Sequence, residues 1–130
     1  MKKSLLIFLF LFAVFVNAQT SNKKYIADSI RKVAEQNMDK ENWVEAIINS
    51  NQCLRIYKEI NDKNGMARAL YQLSESHNFL GDYKKSYPFT QKSMNIFREL
   101  QDKKGSPLMR TTWSELSLEL VSLYDFAKKR

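Results

Sequence analysis

Few residues in this chain are equipped for chemistry. Cys53 is the only cysteine and His77 the only histidine among 130 residues. A nucleophile needs a base within reach, and a metal centre needs several ligands together. A lone cysteine and a lone histidine supply neither, and no glycine-rich phosphate loop is present. Glu35 and Glu75 recur forty residues apart, at corresponding positions of two similar segments. They read as solvated residues and not as an acid/base pair. His77 falls on the same face as Leu73 and reads as a core residue. Tyr57, Tyr71, Tyr83, Tyr87, Phe89 and Phe97 fall at helical spacing and read as packing. The expectation is a protein without catalytic residues, cofactor or metal.

Charge and cysteine usage narrow the class further. The formal net charge is +7, with charges of both signs interspersed, as in "RKVAEQNMDKENW". No basic run forms a stripe, so the pattern suits a solvated helical surface and not nucleic acid. One cysteine cannot staple a fold, so packing must hold it. Cys53 reads as a small buried residue on a helix.

The elements that position these residues are legible in a repetition. "IYKEINDKNG" from Ile56 returns as "IFRELQDKKG" from Ile96, with five of ten positions identical. Shifted by forty, Asp28–Ile60 lies over Arg68–Leu100 without a gap, and apolar positions superpose: Ile30 on Leu70, Val33 on Leu73, Leu54 on Met94. Each copy reads as two helices. Leu70, Leu73, Ser74 and His77 follow the spacing of one helix face. Gly81-Asp82 breaks that helix and caps the next, whose face is Tyr87, Thr90, Met94 and Phe97. The polar "DKKG" ending at Gly105, like "DKNG" at Gly65, reads as a helix exit. Two short helices cannot bury their own faces, so neighbouring copies must stack. The fold class is all-α, with repeats at about 26–65 and 66–105 and a final helix over 106–128.

The first eighteen residues stand apart. Two lysines precede an apolar run from Leu5 to Val16, and Val16-Asn17-Ala18 follows. This is the pattern of a secretory signal peptide cut after Ala18. Twelve apolar residues span about 18 Å of helix, short of the roughly 30 Å of a hydrocarbon core. Left uncleaved, the segment would anchor the protein to a membrane. Cleavage leaves Gln19–Arg130. Losing Lys2 and Lys3 takes Lys+Arg from 21 to 19 against 14 Asp+Glu, so the net charge becomes +5.

Ala69–Ile96, "ALYQLSESHNFLGDYKKSYPFTQKSMNI", resembles a tetratricopeptide repeat. The pattern's roles fall on Leu70, Leu73, Ser74, His77, Gly81-Asp82-Tyr83, Ser86 and Ser93. In the first copy they fall on Ile30, Val33, Ala34, Asn37, Glu41-Asn42-Trp43, Ala46 and Cys53. The unit is forty residues against about 34 in the family, and the excess reads as a longer second helix with its loop. In this it is similar to extended variants in exported bacterial sensors and regulators. Thr90 and Ser50 replace preferred aromatics, which softens the contact between repeats, and Pro88 should bend its helix.

The resemblance implies an α-solenoid of two hairpins plus a capping or truncated third-repeat helix. It implies a concave surface, lined by the first helix of each repeat, that takes a protein or peptide partner. Arg31, Glu35, Tyr71, Gln72, Glu75 and Asn78 would face that surface, with Lys32, Met38 and Phe79 beside them. Glu35 and Glu75 stand where some relatives carry a carboxylate clamp, which argues against a chaperone tail as partner. Two functions stay open: an exported interaction module, and the N-terminal sensory portion of a signalling protein such as a membrane histidine kinase or transcriptional regulator. In the final helix, Leu118, Val121 and Phe126 lie off the apolar stripe that would pack inward. Self-association through them is expected.

Overall fold

The computed structural model describes residues 1–104 together with 118, 122, 125, 126 and 129. Within residues 1–104, four helices follow in order: α1 (Lys2–Asp39), α2 (Trp43–Glu59), α3 (Lys63–Phe79) and α4 (Tyr83–Lys104). The fold is all-α, with no strand among the described residues. Each helix packs on the next, and α1 also touches α3.

Three near-identical turns make the reversals. Glu41, Asn61 and Gly81 stand twenty residues apart, with φ of 59°, 54° and 75°. At each turn the left-handed residue's N–H bonds back to Met38, Lys58 or Asn78 O, at 2.9, 3.2 and 2.9 Å. The next N–H reaches Asn37, Tyr57 or His77 O, at 2.8, 2.9 and 2.8 Å. This Schellman geometry satisfies carbonyls that a helix end would leave open. Asp62 and Asp82 then cap the following helices, accepting from Gly65 N (3.0 Å) and Lys85 N (3.3 Å).

The forty-residue period is a period of burial. Ala46, Ser50, Cys53, Leu54 and Tyr57 are buried on α2, and Ser86, Thr90, Ser93, Met94 and Phe97, each forty residues on, are buried on α4. Ala27 and Ala34 of α1 match Ala67 and Ser74 of α3 in the same way. The small residues let the helices approach closely. The copies part where their neighbours differ. Leu73 is 0% exposed between α2 and α4, whereas its counterpart Val33 is 45% exposed because, among the described residues, no helix flanks α1 on its outer side.

Two cores result. Ala27, Cys53, Leu54, Tyr57, Ala69, Leu70 and Leu73 join α1, α2 and α3, while Ala67, Met94 and Phe97 join α3 and α4. The α3–α4 contact is partly polar. Ser74 Oγ lies 3.1 Å from Ser86 Oγ and in short contact with Thr90 Oγ1, and Ser93 Oγ donates to Ala67 O at 2.8 Å.

One expectation needs correction. Gly65 ends no helix: it sits in the first turn of α3, because Asp62 caps that helix and the preceding turn has already closed at 60–62. Helix boundaries therefore fall three residues before the expected start of the second repeat, and α2 and α3 are equally long at 17 residues. Pro88 lies inside α4, near its start.

Helix α1 runs unbroken from Lys2 through Ala18 to Asp39. Its apolar residues from Leu5 to Val16 are exposed. Counted with its flanks, this helix is long and apolar enough to cross a membrane, a length the twelve-residue run alone does not reach; a signal sequence has the same features.

Candidate functional site

Helices α1 and α3 lie side by side in the same direction, offset by one forty-residue unit. Gln72 Nε2 donates to Arg31 O at 3.3 Å, and nearer the start of α3 Lys24 Nζ forms a short ion pair with Asp62. A cleft of about 500 Å³ opens between the two helices, lined from α1 by Lys24, Tyr25, Asp28, Ser29, Arg31 and Lys32. Asn64, Gly65 and Arg68 of α3 form the other wall, with Tyr57 of α2 at the base.

Helical spacing gathers the charges. Lys24, Asp28, Arg31 and Lys32 fall at i, i+4, i+7 and i+8 on α1, and Asn64 and Arg68 at i and i+4 on α3. Four cations thus face one carboxylate. Asp28 is already engaged: Tyr57 Oη donates to its Oδ1 at 2.6 Å, and Lys24 Nζ stands 3.6 Å from its Oδ2. Burial pushes the Tyr57 hydroxyl's pKa up, and its bond to Asp28 adds to this. The Asp62 bond raises Lys24 against the opposing effect of burial. Burial would raise Asp62, but the bonds from Gly65 N–H and Lys24 outweigh it and hold the carboxyl below its ordinary range. Arg68 Nε donates to Asn64 Oδ1 at 2.8 Å, which steadies the guanidinium.

Of the six expected groove residues, the cleft takes in Arg31 alone. Glu35 is exposed one turn further along, 3.6 Å from Arg31 Nη1. Gln72 is no groove residue: it is 6% exposed and ties α1 to α3, with Ser50 Oγ donating to its Oε1 at 3.4 Å. A side chain that looked surface-polar is covered because α1 lies over it. Tyr71 packs partly buried against the α3–α4 core. Glu75 and Asn78 are half-buried beyond the cleft, and burial raises the Glu75 carboxyl. Phe79 stacks on Trp43, with centroids 4.3 Å apart and planes 3° from parallel. The cleft residues missed were Lys24, Tyr25, Asp28, Ser29, Asn64 and Arg68. Their signal was present as helical spacing, hidden by the alternation of signs along the chain.

His77 is half-buried, stacked on Phe89 at 5.7 Å and 3.9 Å from Asp82 Oδ2; burial lowers its pKa. Cys53 is buried, and burial raises its thiol to about 11. Among the described residues, no group of three His, Cys, Asp or Glu could hold a metal ion. Towards the C-terminus, Leu118 is 72% exposed, while Val121 lies outside the described residues. Phe126 does not face wholly outward: its ring packs on Tyr83 at the start of α4, centroids 4.3 Å apart.

No protein-family model and no curated protein matches the chain.

Proposed function

We propose that the chain is an exported, non-enzymatic interaction module, built as a tetratricopeptide-like α-solenoid, that holds a segment of a partner protein between α1 and α3. One observation carries this reading. Two helices of similar sequence lie parallel, one forty-residue unit apart, and leave an open cleft lined by charged side chains of both. Cleavage after Ala18 would free the domain from the apolar run of α1, which is exposed. A mass retaining Met1–Ala18 in the native protein would refute the export part of the reading.

A photo-crosslinking residue tests the binding part. Placed at Ser29, an exposed position on the cleft rim, it should join the partner in living cells. Placed at Lys92, exposed on the outer helix α4, it should not. Equal yields from the two positions, or no product from Ser29, would remove the cleft from consideration.

A further inference from the structure

We propose that the cleft between α1 and α3 takes an extended acidic peptide segment, using Arg31, Lys32 and Arg68. This rests on the reading of the cleft as a partner-binding surface and adds the partner's chemistry.

The argument is one of unmet charge. The lining holds Lys24, Arg31, Lys32 and Arg68 against Asp28 alone. Lys24 is spent on Asp62, and both oxygens of Asp28 have partners. Glu35 reaches only Arg31, at a loose 3.6 Å. Lys32 and Arg68 form no ion pair among the described residues. Arg68 is held through Nε by Asn64, so both amino groups of its guanidinium stay available for a carboxylate.

The layout favours a strand-like acidic segment over a compact anion. The α1 wall of the cleft, from Lys24 to Lys32, spans eight residues, about 12 Å of helix axis. An extended peptide rises about 3.3 Å per residue, so three to four residues match that length, with carboxylates at alternate positions facing one wall. Asn64, whose carboxamide oxygen is taken by Arg68, keeps an amide N–H pair for a peptide carbonyl. The exposed ring of Tyr25 stands at the rim.

The test is fluorescence anisotropy of labelled hexaglutamate with the full chain, held soluble in a non-ionic detergent. Hexaglutamate should bind at low salt and hexaglutamine should not, and salt of about 0.5 M should remove most of the binding. Lys32→Glu and Arg68→Glu should each weaken binding about tenfold, each replacing an attraction by a repulsion. Lys92→Glu on the outer helix is the control and should change nothing. All three positions are exposed, so circular dichroism should report an unchanged fold. No binding of hexaglutamate, or equal weakening by Lys92→Glu, overturns the proposal. Inorganic phosphate displacing the label as well as unlabelled hexaglutamate does, at equal total charge, would mean a general anion site and would overturn it too. A partner crosslinked from Ser29 but indifferent to salt and to Arg68→Glu would sink the acidic segment while leaving the interaction module standing.

Discussion

The ring of Tyr57 lies directly on the backbone of Gly65. A Cβ built on Gly65 would stand 2.6 Å from Tyr57 Cγ and closer still to two other ring carbons. Tyr57 is fully buried, with its hydroxyl fixed on Asp28, so the ring has nowhere to withdraw. Gly65→Ala should therefore destabilise the protein by about 1–3 kcal/mol, the usual range for overpacking. Urea unfolding reads this directly. In a Tyr57→Ala background the same change should cost little or even stabilise, because alanine is the better helix former by about 1 kcal/mol. An equal cost in both backgrounds would mean that the ring is not the reason for the glycine.

The turns supply a second prediction. Glu41 holds a left-handed conformation that its counterpart Gly81 adopts without strain. Such a conformation costs a residue with a Cβ about 1–2 kcal/mol. Glycine loses more chain entropy on folding, so Glu41→Gly should stabilise by about 0.5–1 kcal/mol net. Gly81→Glu should destabilise by a similar amount or more. Asn61 needs less help, since asparagine tolerates this region. Thermal unfolding of the two exchange variants decides the matter, and a lower melting temperature for Glu41→Gly would refute it.

These two cases show what the sequence made legible. The period, the all-α class and the Gly81-Asp82 break were readable because apolar residues recur at fixed spacing and glycine favours left-handed turns. The buried face shared by α2 and α4 was readable for the same reason. The turns at 40–42 and 60–62 carry Glu41 and Asn61 where glycine would have announced them. Gly65 was misread as a helix exit because a glycine demanded by a ring eight residues earlier looks identical in sequence to one demanded by φ. Gly105 itself lies outside the described residues. The site was legible only in part. Arg31 could be placed on the first-helix face, but Gln72 became structural once α1 covered it, and no linear pattern shows which polar residue a neighbouring helix will bury.

Cys53 should behave as an inert filler. It is fully buried, its Sγ bonds Ser50 O at 3.2 Å, and burial raises the thiol to about 11. Near neutral pH the reactive thiolate is then scarce, and a thiol reagent should modify the folded protein far more slowly than the denatured one. Cys53→Ser should be well tolerated, since serine occupies the corresponding position 93 in the same buried setting. Cys53→Phe should cost about 1–3 kcal/mol by forcing the helices apart. Labelling as fast in native buffer as in denaturant would contradict the packing described.

The Lys24–Asp62 pair makes stability depend on pH in a definite direction. Asp62 is held below its unfolded value, so its contribution is present above the unfolded pKa and fades as pH falls through the folded one. Lys24 is raised, so its contribution is present below its unfolded pKa and fades as pH climbs through the folded one. The pair should therefore help across the neutral range and fail at both extremes. Half of the Lys24 side chain is exposed, so water screens the attraction and the pair should contribute at most about 1 kcal/mol. Asp62→Asn isolates this contribution, because asparagine can still accept the Gly65 N–H and keep the cap. The variant should be less stable than the parent by about 0.5–1 kcal/mol near neutrality. That difference should shrink as pH falls below about 4, where the unfolded carboxyl takes up its proton while the folded one still resists it. Urea midpoints measured from pH 3 to pH 7, both roughly spanning the ordinary carboxyl range, provide the check. A gap between parent and variant that stays constant over that range would show that the loss came from the cap and not from the charge.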